Sequence, residues 1–335
     1  MNIDETYMQR CIQIAKNGSS SARPNPSVGA VIVYENSIIG EGFTSPYGGN
    51  HAEVNAINSV SDKSLLSKAT LYVSLEPCSH FGKTPPCCDL VVLHKIPHVV
   101  IGALDPNPKV AGMGISRIKH SGAKVVVGIL EKECIASNKH FFTFHIKKRP
   151  FIILKWAQST DGFIAPKTKS EQNPVWISNE ISQQLSHKIR SEAQAILIGT
   201  TTVLDDNPTL TTRNWSGKNP TRIVIDKEYK LSKSLHVFDN QAETIIIGKN
   251  EIDFDANIAL QISDFLYQKN IQSLMVEGGS QTLQTFINAN CWDEAYVFTA
   301  EILLHDGTKS PTFKKAFDQQ KGILNNNLYI YHNHD

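Results

Sequence analysis

His51, Glu53, Cys78 and Cys87 are the residues of this chain whose types and spacing point most directly to chemistry. They sit in two short blocks, His51-Ala52-Glu53 and Pro77-Cys78, with eight residues between Cys78 and Cys87. One imidazole and two thiolates make three soft ligands, a set that suits a four-coordinate zinc ion whose last position stays open to water. Zinc lowers the pKa of bound water to about 7, so hydroxide becomes available for attack on a carbon that carries an exocyclic amine. Glu53, not counted as a ligand, can take a proton from that water and deliver it to the leaving amine. The pattern implies hydrolytic, zinc-dependent deamination. Spacing alone does not choose between Cys87 and the adjoining Cys88. Cys88 or His80 could also supply a fourth ligand, which would close the site into a structural one.

The elements around these blocks must bring them together. A helix is predicted to start near His51, because Gly48-Gly49-Asn50 can turn and cap it. A second runs from Cys87 or Cys88 to His94, so each ligand block falls at a helix start, where the backbone dipole stabilises a thiolate. Glu53 lies about 200° from His51 on a regular helix, so both reach one point only from an irregular first turn. Leu71 to Leu75 reads as a buried strand ending at Glu76-Pro77-Cys78. Upstream, Met8, Cys11, Ile12 and Ala15 recur at helical spacing, with Asn17-Gly18 as a stop. Val28 to Tyr34 and Ile38 to Gly42 read as a hairpin around Glu35-Asn36. Downstream come a strand at Val99 to Ala103, a helix at Ile115 to His120, a strand at Val125 to Val127 and a helix at Glu131 to Phe144. Strands separated by helices imply a layered α/β domain.

At 335 residues the chain is too long for one ordinary core and reads as two domains, 1–147 and 151–335. The break falls at Lys147-Lys148-Arg149-Pro150, a charged stretch closed by a proline. Beyond it, strands are predicted at Phe151 to Leu154, Ala195 to Ile198, Arg222 to Ile225, Thr244 to Ile247, Ser273 to Val276 and Ala295 to Phe298. Glu180 to Arg190 and Thr282 to Asn288 read as helices, so this half is again α/β with its own core. Gly278-Gly279-Ser280, after a strand and before a helix, lets backbone N–H groups approach a phosphate. No G-x-G-x-x-G follows an early strand, which argues against a Rossmann site. Lys155 and Arg213 could hold an anionic or carbonyl-bearing substrate, and Glu277 could orient it.

Composition narrows the class. With 41% hydrophobic and 19% charged residues the chain is an ordinary soluble globular protein. A net charge of +1 offers no electrostatic case for nucleic acid or an anionic membrane. No apolar run approaches the ~20 residues that span a bilayer, and Met1-Asn2-Ile3-Asp4-Glu5 lacks the features of a signal peptide. The six cysteines are sparse, and three crowd one loop, which fits metal binding in a reducing compartment. A cytoplasmic protein is expected.

The block His51-Ala52-Glu53-Val54-Asn55-Ala56 with Glu76-Pro77-Cys78 resembles the cytidine-deaminase-like superfamily. Most nucleic-acid and nucleoside deaminases space the cysteines as Pro-Cys-x-x-Cys. The longer insert here, Ser79 to Pro86, is similar to that of the riboflavin-biosynthesis deaminase, as are Arg23-Pro24-Asn25-Pro26-Ser27-Val28-Gly29 and Asp105-Pro106-Asn107-Pro108. The resemblance implies a cytidine-deaminase-like α/β/α layer domain, zinc held by His51, Cys78 and Cys87, and Glu53 as the proton carrier. It also implies a phosphorylated pyrimidine substrate, 2,5-diamino-6-(phosphoribosylamino)pyrimidin-4-one, with His80 and Lys83 on its phosphate and Asn25 near its ring.

The second half looks like the partner reductase of the same pathway. Leu154-Lys155 with Ser159-Thr160-Asp161-Gly162, then Trp176-Ile177-Ser178, Arg190, Thr202-Val203-Leu204, Asp205 to Pro208, Leu210 to Arg213 and Val276 to Gly279 follow in the family's order. Pro174 stands where the family often has a small polar residue. The resemblance implies a dihydrofolate-reductase-like α/β domain with NADPH as cofactor. Substrate would be held by Lys155, Arg190, Leu210, Arg213 and Glu277, and cofactor by Ala157, Trp176, Thr202, Asp206, Gly278 and Gly279. It further implies a homo-oligomer with neither nucleic acid nor membrane as partner. The rival reading is a nucleoside or tRNA-editing deaminase with an unrelated second domain. The cysteine spacing, the balanced charge and the lack of a basic, aromatic-laced patch stand against it.

Overall fold

Residues 2–82, 85–107, 111–168, 172 and 175–334 are described by the computed structural model. The chain divides into two units, residues 1–147 and 148–335. In the first, α1 (Ile3–Ala15) opens on a capping box in which the side chains of Asn2 and Glu5 each accept the other's backbone N–H. β1 (Gly29–Tyr34) and β2 (Ser37–Phe43) form the expected hairpin. Glu35 and Asn36 take left-handed φ values of 48° and 61°, the pair a two-residue turn needs. There follow α2 (Ala52–Ser59), β3 (Thr70–Leu75), α3 (Cys87–Leu93), β4 (His98–Ala103), α4 (Met113–His120) and β5 (Lys124–Val127). The five strands lie in the order β2-β1-β3-β4-β5. β3, β4 and β5 run parallel, and β1 is antiparallel to both its neighbours.

Helices cover both faces of this sheet. Alternate residues of a strand face opposite sides. Gly29 lies against Cys11 of α1, whereas Gly42, paired with Ala30, lies against Ala52 and Ala56 of α2. A Cβ on Gly42 would fall 2.3 Å from the Ala56 nitrogen and 2.5 Å from the Ala52 oxygen, so only glycine lets α2 lie this close to β2.

One helix departs from expectation. The segment predicted as a single helix from Glu131 to Phe144 is two, α5 (Glu131–Ser137) and α6 (Lys139–Lys147). The chain breaks at Asn138, with φ −124° and ψ 28°. The Asn138 side chain accepts the Ser27 N–H at 2.8 Å and donates to the Ser27 carbonyl at 2.9 Å. That buried two-point bond outweighs helical continuation.

The second unit contains β6 (Phe151–Ser159), β7 (Phe163–Pro166), α7 (Glu180–Glu192), β8 (Ala195–Gly199), α8 (Thr200–Asp206), β9 (Thr221–Ile225), β10 (Thr244–Ile247), α9 (Ile258–Gln268), β11 (Ser273–Val276), α10 (Ser280–Asn288), β12 (Glu294–Ala300), β13 (Gly307–Lys309), β14 (Gln319–Ile323) and β15 (Asn326–His332). Eight strands form one sheet in the order β10-β9-β8-β11-β6-β12-β15-β14, and β7 pairs with β13 apart from it. The sheet is parallel from β10 to β12, and β15 and β14 add antiparallel pairs. β6 feeds two cores: Ile152, Leu154 and Trp156 enter one, Phe151 and Ile153 the other. A strand covered on both faces needs an unbroken apolar run, and Phe151-Ile152-Ile153-Leu154 supplies it. Both units are α/β, as the resemblance implies. Among the described residues no helix is long and apolar enough to cross a membrane.

Candidate active sites

The first site is built at two helix starts. His51 is the N-cap of α2, with extended φ −74° and ψ 166°, so its ring leaves the chain before the helix begins. Glu53 lies in the first helical turn and is buried. That change of backbone between His51 and Ala52 overcomes the angular separation a regular helix would impose. Cys78 follows the end of β3, and Cys87 is the first residue of α3. His51 Nδ1 lies 3.5 Å from Cys78 Sγ and 3.4 Å from Cys87 Sγ. The ligand atoms of all three lie within 4.8 Å of one another. Zn–S of about 2.3 Å and Zn–N of about 2.0–2.1 Å at a tetrahedral angle set an N···S separation of about 3.5 Å. The donor set and its spacing fit zinc.

Cys88 is not part of this cluster. It is buried in α3 and turns its thiol to Asp89 Oδ1 at 3.6 Å, and its N–H donates to the Cys78 carbonyl. Neighbouring helical residues point about 100° apart, which decides between the two adjacent cysteines. The Cys87 N–H donates to Cys78 Sγ at 3.3 Å. The hydrogen bond from the Cys87 thiol, with His51 adding, holds Cys78 well below the usual thiol range, while that contact and burial push Cys87 up. Burial pushes the Glu53 carboxyl up to about 7, with the charge of Cys78 adding. A carboxyl poised there can both accept and return a proton near neutrality.

Of the other residues expected here, Asn25 is half-buried and His80 is exposed, and the described hydrogen bonds do not tie either to the cluster. Lys83 and Pro108 lie outside the described residues. Two carboxyls without an expected role sit close by. Burial, then Glu76, raises Asp105 to about 6. Glu76 accepts backbone N–H bonds from four residues beyond β4. The one sequence signal for Glu76 is its place directly before Pro77-Cys78.

The second site is a cleft of about 960 Å³ in the second unit, at the upper end of the usual range for ligand pockets. It opens at the carboxyl ends of parallel strands, where open α/β sheets bind ligands. All the expected substrate and cofactor residues line it except Gly278, whose position packs against Ile198. Register explains the central trio. Val276 of β11 pairs with Leu154 of β6, so Glu277 and Lys155 come side by side. Lys155 Nζ lies 2.9 Å from Glu277 Oε1, and Arg190 Nη2 lies 2.6 Å from Glu277 Oε2. Arg190 also donates to the Thr211 carbonyl at 2.7 Å. Burial opposes ionisation of Glu277, yet Arg190 and Lys155 prevail and hold its carboxyl down to about 2. His187, buried on α7 beside this cluster, is pushed down to about 4 by burial and by Arg190 and Arg213, and so stays neutral at neutral pH. Arg213 lies over the exposed Trp176 ring, 5.9 Å from its centroid. Pro174 lies outside the described residues.

Residues 1–103 match the cytidine and deoxycytidylate deaminase zinc-binding region, and residues 150–328 match the RibD C-terminal domain. The riboflavin biosynthesis protein RibD of Aquifex aeolicus is 39% identical over 321 residues, which cover 91% of this chain and 89% of that protein. RibD of Escherichia coli is 33% identical, covering 90% and 88%. The crystal structure of a diaminohydroxyphosphoribosylaminopyrimidine deaminase/5-amino-6-(5-phosphoribosylamino)uracil reductase from Thermotoga maritima is 35% identical. It superposes with a TM-score of 0.87 over 98% of both chains. RibD of Acinetobacter baumannii superposes equally well, at 0.87 with 28% identity and 98% of both chains covered.

Proposed function

The chain belongs to the RibD family of bifunctional riboflavin-biosynthesis enzymes, a deaminase joined to a reductase, and from that premise we propose how its residues divide the work. The first unit hydrolyses the ring amine of 2,5-diamino-6-(5-phosphoribosylamino)pyrimidin-4(3H)-one. The second reduces 5-amino-6-(5-phosphoribosylamino)uracil to its ribitylamino product with NADPH. The observation that carries this reading is the convergence of His51 Nδ1, Cys78 Sγ and Cys87 Sγ beside the buried carboxyl of Glu53.

His51, Cys78 and Cys87 would hold a zinc ion, which would supply a water acidic enough to serve as nucleophile at neutral pH. Glu53 takes the proton that the attacking water gives up. It then passes the proton to the departing nitrogen, so that oxygen replaces the amine and ammonia leaves. Asn25 holds the ring, and His80 and Lys83 hold the ribose phosphate.

In the second unit NADPH supplies the hydride. Ala157, Trp176, Thr202, Asp206, Gly278 and Gly279 hold the cofactor. Lys155, Arg190, Leu210 and Arg213 hold the substrate, and Glu277 keeps Lys155 and Arg190 in place. Around Glu277, Lys155, Arg190 and Arg213 set three cations against one carboxylate, which favours a phosphorylated substrate at that end of the cleft. In this reading the protein works in the cytoplasm as a homo-oligomer, without nucleic acid.

The test is Glu53→Gln in the full chain. Ammonia release should fall about 10²- to 10⁴-fold, with zinc content unchanged and NADPH oxidation on the deaminated intermediate retained. Deamination at the wild-type rate would remove Glu53 from its role. Wild-type protein that consumes no NADPH with that intermediate would remove the reductase assignment.

A further inference from the structure

We infer that Glu76 is a positioning residue of the metal centre: its carboxylate fastens the Cys78 segment to the start of α4, and α4 in turn braces the segment that carries Cys87. This rests on His51, Cys78 and Cys87 being the zinc ligands. Glu76 touches none of them and acts through backbone.

The Glu76 side chain is almost fully buried, at the point where the chain leaves β3. Its own N–H donates to the Ala103 carbonyl at 2.9 Å, extending the pairing of β3 with β4 by one residue. One carboxylate oxygen accepts the N–H groups of Gly114 at 3.1 Å and Ile115 at 3.3 Å. The other accepts those of Gly112 at 3.0 Å and Asp105 at 3.4 Å. The first N–H groups of a helix have no partner within it, and those of Gly114 and Ile115 find theirs here. Four backbone donors converge here, and a carboxylate, whose two oxygens can each accept twice, is the side chain that meets all four.

Contact continues toward the ligand. A Cβ on Gly114 would stand 2.1 Å from the Pro77 carbonyl oxygen, so α4 rests directly on the residue between Glu76 and Cys78. Further along α4, Arg117 Nη1 lies 2.6 Å from Asp89 Oδ1 on α3, two residues beyond Cys87. Both cysteine segments therefore bear on a helix that contributes no ligand. Replacement of Glu76 by glutamine keeps shape and size but turns an NH₂ toward two backbone N–H groups, which removes their acceptor and opposes donor to donor.

Removing a partner that orients metal ligands typically costs 10- to 100-fold in metal affinity. Full-length wild type and Glu76→Gln, stripped of metal, are titrated with zinc against a chromophoric chelator. Cobalt(II) is then loaded in place of zinc, and its visible and thiolate charge-transfer bands are recorded. The variant should bind zinc about 10- to 100-fold more weakly and show shifted cobalt bands. Folded Glu76→Gln with wild-type affinity and an unchanged spectrum overturns the inference and leaves the zinc reading standing. Wild-type protein that takes up no zinc overturns the zinc reading instead. Where Glu76→Gln fails to fold, Arg117→Met decides, since this side chain is 46% exposed and its loss threatens folding least. Shifted cobalt bands in that variant support the bracing, and an unchanged spectrum with unchanged affinity overturns it.

Discussion

Glu277 has two cations for company and almost no solvent, with Lys155, Arg190 and Glu277 side chains 11%, 9% and 14% exposed. Taking away one partner of a buried charge cluster leaves the others uncompensated, at a cost of about 3 kcal/mol or more. Glu277→Gln should therefore destabilise the second unit by about that much at pH 7, read by urea unfolding. The pH dependence has a definite sign. The folded carboxyl is held down to about 2 against an ordinary 4.5, so its contribution is complete above pH 4.5 and is lost as pH falls from there toward 2. The gap between wild type and Glu277→Gln should accordingly close over that window. A gap that stays constant down to pH 2.5 would mean that Glu277 is not the group being titrated. At this scale the cluster of His51, Cys78 and Cys87 was legible in sequence because their types carry the chemistry. Spacing alone left Cys87 and Cys88 open, since the choice depends on which way a helix is turned, and only the family resemblance pointed to Cys87. Glu76 was equally hidden, because its partners are backbone N–H groups that no residue type advertises.

Among the elements, the break between α5 and α6 shows how a distant contact overrules local propensity. The segment from Glu131 to Phe144 has the pattern of one helix, and nothing in it signals that Asn138 bonds Ser27, 111 residues away. Asn138→Ala should leave two buried backbone groups of Ser27 short of a partner, at about 2 kcal/mol. It should also loosen the adjoining Asn25 loop. The expected outcome is a lower melting temperature and a raised KM for the deaminase substrate at unchanged zinc content. An unaltered KM would detach Asn25 from substrate binding. Strands such as Val28 to Tyr34 and Phe151 to Leu154 are legible because apolar runs rich in β-branched residues fit buried strands. β14 is not, as Gln319-Gln320-Lys321-Gly322 is exposed and has no apolar alternation. α9 does carry a signal, Ala259, Ile262 and Leu266 at helical spacing, and belongs with the elements a closer reading of periodicity finds.

Over the whole molecule, the α/β class of both halves follows from alternating strand and helix patterns, but strand order does not. The first unit pairs its strands mostly with near neighbours in the chain. The second does the opposite: β6, its opening strand, sits between β11 and β12, and Glu277 lies 122 residues beyond Lys155. On the ribosome this means that Phe151 to Leu154 emerge long before anything exists to lie beside them. At 5–20 residues per second the wait is roughly ten seconds, during which an apolar strand with both edges open is a target for chaperones or for another nascent chain. A chain halted after Asn270 should present a protease-resistant first unit and a readily digested remainder. Equal resistance of both would show that β6 finds a temporary partner.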